Sequence, residues 1–477
     1  MSACGGGSAT PPPLPPGTPA PASQPTGSPG DIDWPTFALT ATRNGENISE
    51  TLLTPSTVSR LHLLWSQKIG DGIAAADTQP IVAANVTVNG ANLDIVYAGD
   101  EHGYFVALNA LSGAVLWSKH LGSQATACGQ FPGGIFGITD TGVIDRTRNR
   151  VYVADGSGKL VAFDLATGNV ASGWPSGGVQ VVDNSTLDHV WSALTFDASE
   201  GLLFVTTASY CDNGIWNGAL RAVNVQSATV TNVFYFGTGT ATMPTASSYG
   251  GGVWGWGGVA IDPATHNLYG ASGNVEPTEL APYSDSLNEW SPLLAPIATN
   301  EPPPSVGDDD FGGSAVVYDE AGAQCVGAMR KDGTLFVYDR THVAAGPTVS
   351  LVLGNAGAGN INAFVHSSST HVLYVNNPST GPYARGLYAF AAQANCTLDA
   401  RVSWVQRISV STASPTVANG VVFDPAGSQL FAFSAATGAQ LWNSGTSIGG
   451  AMQNSVTVVN GRVYVVDWTD TIYAFGL

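Results

Sequence analysis

The feature that most restricts what this chain can become is a repeat. A short β-rich run is followed by a tight polar turn and a second run ending in Ala, then Leu or an aromatic, then Asp or Asn; a Gly and often a Trp come next. Two clear copies are Val96-Tyr97-Ala98-Gly99-Asp100 with Val106-Ala107-Leu108-Asn109, Gly113 and Trp117, and Val151-Tyr152-Val153-Ala154-Asp155-Gly156 with Val161-Ala162-Phe163-Asp164 and Gly168. Degenerate copies begin near Leu203, Leu268, Val326, Leu373, Val421 and Val463, at intervals of 42 to 65 residues. Alternation at period two argues for strands, and Asp-Gly, Ser-Gly and Thr-Gly between them argue for hairpin turns. Multi-strand repeats of about 40 to 50 residues are the mark of propeller blades. The sequence therefore predicts an all-β chain, an eight-bladed β-propeller. The last copy, Val463 to Phe475, stops where the others continue into a Trp-bearing strand, and Leu61-His62-Leu63-Leu64-Trp65-Ser66 is an orphan strand of that kind. Pairing the two completes the last blade and hides the edges of an open ring.

On this reading residues 33–477 form a single domain with no separate catalytic module. Two stretches exceed the repeat. Residues 275–309 carry seven prolines and read as an inserted loop covering a site or an interface. Cys128 to Gly142, with Pro132-Gly133-Gly134, is the other.

Composition excludes several functions. The chain of 477 residues has 16 basic and 35 acidic side chains, a formal charge of −19 and only four lysines. A nucleic-acid binder would show a basic face, and a polytopic membrane protein would show long apolar spans. Charged residues make up 11%, less than half of the roughly 25% usual for a globular protein. With few ion pairs to lose in acid, the chain is expected to tolerate low pH.

The N-terminus speaks to compartment. Ser2-Ala3-Cys4-Gly5 is similar to the end of a bacterial lipoprotein signal peptide, and the Gly/Pro/Ser/Thr run that follows suits a disordered tether, so residues 1–32 are expected to be anchor and linker. That places the protein in the periplasm or at the outer-membrane or cell surface, touching the membrane only through a lipid. Cys128, Cys211, Cys325 and Cys396 form no C-x-x-C motif, so neither a zinc ribbon nor an attached c-type haem is expected. In an oxidising compartment they can pair, in combinations the sequence leaves open.

Four further segments resemble the quinoprotein (PQQ-dependent) dehydrogenase family of PQQ-type repeat propellers. Gly250 to Trp256, followed by Asp262-Pro263, resembles the segment whose Trp lies under the quinone, which points to Trp254. Ser272-Gly273-Asn274 resembles the turn whose Asn gives an oxygen to calcium, and Asp308-Asp309-Asp310-Phe311-Gly312-Gly313 resembles the motif of the catalytic base. Three acids in a row facing one cavity could not all ionise cheaply. Arg330 to Arg340 resembles the run whose basic residue contacts the quinone oxygens, here Lys331. Asp212 falls within a residue of the family's calcium-binding Glu. The resemblance thus implies Asp310 and Lys331 as catalytic residues, Trp254, Lys331 and Cys128 at the cofactor PQQ, and Asp212, Asn274 and Asp310 around Ca²⁺. Calcium's preference for oxygen ligands suits that set. The family's adjacent Cys-Cys cap is reduced here to Cys128 alone, its following Arg has no counterpart before Arg146, and the haem domain of some members is missing.

Three functions follow. The first is oxidation of an alcohol or polyol by a quinoprotein-like enzyme. The second is a tetrathionate hydrolase-type reaction using Asp310 as an acid without quinone, a reading suited by the low charge density and the missing cap. The third is a noncatalytic propeller lipoprotein that presents its faces to protein partners, as outer-membrane assembly propellers do.

Overall fold

The computed structural model describes residues 31–477 except 127, 129–131, 210, 246, 277–281, 304–309 and 356–358. Most of the expected tether, residues 1–30, lies outside them, as do Asp308 and Asp309.

The second copy of the repeat shows how the motif makes structure. Its first run is the strand Arg150–Ala154 and its second the strand Lys159–Asp164, paired antiparallel from Arg150↔Asp164 to Ala154↔Leu160. Asp155 makes the turn: its Oδ1 accepts the N–H groups of Ser157 and Lys159, both at 3.0 Å. Gly158 completes it at φ +76°, a conformation that favours glycine.

The later Gly and the Trp turn out to be a single device shared between neighbours. Gly168 lies against the ring of Trp117 from the preceding unit, so closely that a β-carbon would stand 2.6 Å from it. Gly113 meets Trp65 and Gly438 meets Trp404 in the same way. Each indole N–H then caps a carbonyl of the next unit: Trp117 to Leu165 (3.0 Å), Trp65 to Ala110 (3.2 Å), Trp404 to Ala435 (2.9 Å). Burying such a ring is worth about 1.5–3 kcal/mol, and the hydrogen bond fixes the angle at which blades meet.

Eight such blades close a ring. Their second strands are Ala91–Gly99, Arg150–Ala154, Leu202–Ser209, Leu268–Ala271, Ala323–Met329, Val372–Asn377, Val421–Ala426 and Arg462–Asp467, so each start of a repeat copy falls on one of them. Blade 8 takes its fourth strand from the N-terminus, as expected: His62–Lys68 pairs antiparallel with Thr471–Gly476, from His62↔Gly476 to Lys68↔Thr471.

One expectation needs correction. Within 275–309, residues 287–300 belong to the propeller itself, because Leu287–Trp290 and Pro296–Asn300 are the third and fourth strands of blade 4. The prolines misled. Pro296 opens the outermost strand, where a missing N–H costs nothing. Residues 277–281 and 304–309 of this stretch lie outside the described residues.

The first strands of neighbouring blades touch one another around the ring and so line its axis. A belt from Trp34 to Asn47 runs along them and meets all eight blades in order. Trp34 exchanges both backbone bonds with Val82 of blade 1, and the carbonyl of Pro35 takes the N–H of Ile144 in blade 2. Thr36 bonds Leu194 of blade 3. The carbonyls of Ala41, Thr42, Asn44 and Gly45 accept from Ile261, Val317, His366 and Val417 in blades 4 to 7, and Asn47 donates to Val458 of blade 8. So tight a curve draws Ala38, Leu39 and Arg43 to positive φ.

Arg43 is the hub of the belt. Wholly buried, it donates to Thr36 and the Phe37 carbonyl from one terminal nitrogen and to the Leu194 carbonyl and Thr195 from the other, at 2.6–3.0 Å. Burial pushes its pKa down to about 9, still cationic near neutrality. Arg43→Ala removes four buried hydrogen bonds and leaves a cavity, and is expected to cost about 3–5 kcal/mol, read as the denaturant midpoint. A loss below about 1 kcal/mol would mean that the belt contributes little to stability.

Candidate active site in the axial cavity

The cavity lies at one end of the ring, where the turn after each second strand approaches the segment leading into each first strand. Its volume is about 380 Å³, within the range of small-molecule sites.

Blade 5 supplies its charge. Asp310 lies just before that blade's first strand, Val316–Glu320, and Lys331 lies in the turn after its second, Ala323–Met329. The Lys331 N–H donates to the Asp310 carbonyl (3.1 Å), so the backbones already adjoin. The Lys331 ammonium reaches Asp310 Oδ1 at 2.5 Å, with side chains 17% and 3% exposed. Arg330 turns the other way, to Asp332 (2.8 Å) and the Pro303 carbonyl.

Blade 4 supplies the aromatic wall. Trp254 donates its indole N–H to Asp310 Oδ2 at 2.9 Å, and Lys331 Nζ sits 4.8 Å from its ring centroid. The glycines before it are needed where backbones crowd: a β-carbon on Gly252 would stand 2.2 Å from the Thr207 carbonyl. Gly273 is wedged in the same sense against Asp310 Oδ2 and Trp254 Nε1, at 2.8 and 3.1 Å. Beside it Asn274 lines the cavity and donates to Glu276 Oε1 at 3.1 Å.

Blade 3 supplies the opposite side. Asp212 and Cys211 follow its second strand at φ 48° and 64°, and both line the cavity with Ser209, Trp191 and Trp216. Behind this wall Asp188 and His189 pair with Ser209 and Ala208. Burial pushes the Asp188 carboxyl up to about 6 and the His189 imidazole down to about 4, so His189 is neutral at ordinary pH.

Five of the six residues singled out from sequence therefore line one cavity: Asp212, Trp254, Asn274, Asp310 and Lys331. Cys128 does not line it, but joins it through a disulfide to Cys211; Cys325 pairs with Cys396. Sequence reasoning missed Trp191 and Trp216. Trp191 stands edge-on to Trp254, with ring centroids 6.1 Å apart, yet nothing in its local sequence separates it from the packing tryptophans.

The three tryptophans and one ammonium fit a planar anionic cofactor such as PQQ. The fit to calcium is poor. Among the described residues no three His, Cys, Asp or Glu side chains gather as a metal shell, and both Asp310 oxygens already face N–H donors.

Comparison with solved structures shows the same architecture. A europium-containing methanol dehydrogenase superposes with a TM-score of 0.68 at 14% identity, over 93% of this chain and 98% of its own. A quinohemoprotein alcohol dehydrogenase from Comamonas testosteroni gives 0.67 at 15% identity, over 93% and 80%. BamB from Moraxella catarrhalis gives 0.56 at 14%, over 87% and 100%. At these identities the likeness is one of fold. No curated protein sequence matches the chain. The family model described as "Outer membrane protein assembly factor BamB" matches residues 56–212 and 391–476, just over half of the length. That coverage, together with eight blades set out as the repeat requires, means that the chain belongs to this family of PQQ-type propellers.

Proposed function

We propose that this protein is a quinoprotein-like oxidoreductase that binds PQQ in the axial cavity and oxidises an alcohol or polyol. The observation that carries the reading is the convergence of Asp310, Lys331 and Trp254 on one cavity, with Lys331 on one carboxylate oxygen and the indole N–H on the other. Bound PQQ would supply the two-electron acceptor. Asp310 is the group to take the hydroxyl proton, oriented by its two donors. Lys331 keeps its charge beside the neutral acid and can then turn towards an anionic oxygen of the ligand. Trp191, Trp216 and Trp254 form the wall against which a flat ring stacks and from which water is excluded.

Two disulfides support a periplasmic or cell-surface setting, with the lipid anchor that Cys4 suggests. The family-model match favours a second reading, a noncatalytic scaffold for protein partners. Titration with PQQ, followed by tryptophan fluorescence, separates the two. Saturable quenching in the wild type and its loss in Trp254→Ala is the expected result. No quenching in the wild type would overturn the oxidoreductase reading and leave the scaffold or a quinone-free acid hydrolase.

A further inference from the structure

The family resemblance expects a basic residue and a metal in the same cavity, and here the basic residue, Lys331, is itself paired with a carboxylate expected to hold the metal. Asp310 is only 4% exposed, and its two oxygens are held by the Lys331 ammonium and the Trp254 N–H. A calcium ion drawing on that carboxylate would displace one donor and face an ammonium 2.5 Å from the same oxygen. Two other expected ligands, Asn274 and Asp212, line the same cavity. Asn274 has its side-chain N–H on Glu276, and its backbone carbonyl accepts from the N–H of Gly251. Asp212 is the one other carboxylate among the described residues lining the cavity. Calcium needs six to eight oxygens, and an ammonium within the shell opposes a divalent ion electrostatically.

We infer that Lys331 takes the place of the divalent cation, so that the cavity binds its ligand without calcium. Lys331 is tethered by its own chain and needs no loading step. It also lies over the Trp254 ring, where a cation is favoured. A planar anionic ligand entering beside Trp254 would then meet a resident monovalent charge. The identity of that ligand rests on the oxidoreductase reading above; the statement about calcium does not.

The test uses the full chain, stripped with EDTA and titrated with CaCl₂ alone, by calorimetry and by melting temperature. No saturable heat and no rise in Tm at millimolar Ca²⁺ is the expected result, since an ion that bound the folded state would raise Tm. Lys331→Met, which takes the ammonium away from Asp310, is expected to acquire a Ca²⁺-dependent rise. Saturable binding in the wild type that Asn274→Ala or Asp310→Asn removes would overturn the inference. A second arm repeats the PQQ titration in EDTA and in Ca²⁺. Affinities equal within about twofold support the inference, whereas binding at least about tenfold tighter with Ca²⁺ overturns it and leaves the oxidoreductase reading standing. If PQQ binds in neither buffer, the oxidoreductase reading fails while the calcium titration still decides this one.

Discussion

Asp310→Asn is expected to lower turnover of an alcohol substrate by about 10²–10⁴-fold, the usual contribution of a positioned general base, while leaving the propeller folded. The amide is nearly isosteric, so Trp254 can still donate to its oxygen. What goes is the proton acceptor and the ion pair with Lys331. Lys331 then loses this ion pair in a largely buried position, at a stability cost of about 1–3 kcal/mol. Turnover in matched buffers and a denaturant melt check the two halves. A variant that turns over as fast as the wild type would remove Asp310 from the chemistry, and under the scaffold reading partner binding would not change at all.

Stability is expected to be greatest in mild acid and to fall as pH rises through about 6 to 8. Burial pushes the Asp77 carboxyl up to about 6, and those of Asp100 and Asp424 up to about 8. It also raises Glu101 and Asp140 well above the usual carboxylate range. Asp77 shares a hydrogen bond with Glu101 and Asp100 shares one with Asp470, at the seam where blade 8 meets blade 1. Each of these acids binds its proton more tightly folded than unfolded. Their stabilisation is therefore complete below about pH 4, the unfolded value, and lost as pH passes the folded one. Opposing terms are present: burial lowers His189 to about 4 and also lowers His366, so both favour the fold above their unfolded value near 6.5. Glu46 and Asp332, lowered by their hydrogen bonds against the effect of burial, lose stability only in stronger acid. At about 1.4 kcal/mol per pKa unit, the raised acids together amount to on the order of 5–10 kcal/mol between pH 5 and 9. That corresponds to a fall of about 10 °C in Tm, and Asp424→Asn should flatten part of it. A melting temperature that is level or climbs from pH 5 to 9 would refute the account.

The acid tolerance expected from composition thus has a different basis. Low charge density suggested that few buried ion pairs would be lost, yet the described residues include several, among them Asp310 with Lys331 and Asp262 with Arg340. The expected stability in acid rests instead on buried carboxyls that are best accommodated when protonated.

Blade number, ring closure and most of the cavity were legible because they rest on local chemistry. The repeat's Asp makes its own turn, its Gly fits the neighbouring Trp, and Asp310 and Lys331 sit on motifs with their own sequence patterns. What was missed depends on the closed ring. Cys128 meets Cys211 across 83 residues. The belt has no pattern of its own in the sequence, because its partners are edges of strands that exist only once the blades stand side by side. The strands of blade 4 hid among prolines that only an outer edge tolerates.

The belt also sets an order in time. Its residues leave the ribosome before any of the blades, yet Asn47 bonds a carbonyl 411 positions later, and every intermediate stitch awaits its own blade. A segment made before every blade is thus the last that can dock fully, so a nascent chain has an open ring and a loose end. Contacts of such sequence separation make folding slow, and during that interval unpaired strand edges are exposed to aggregation. Commitment to the native state is thus a late event in which this strap threads the axis and ties the inner strands of finished blades together.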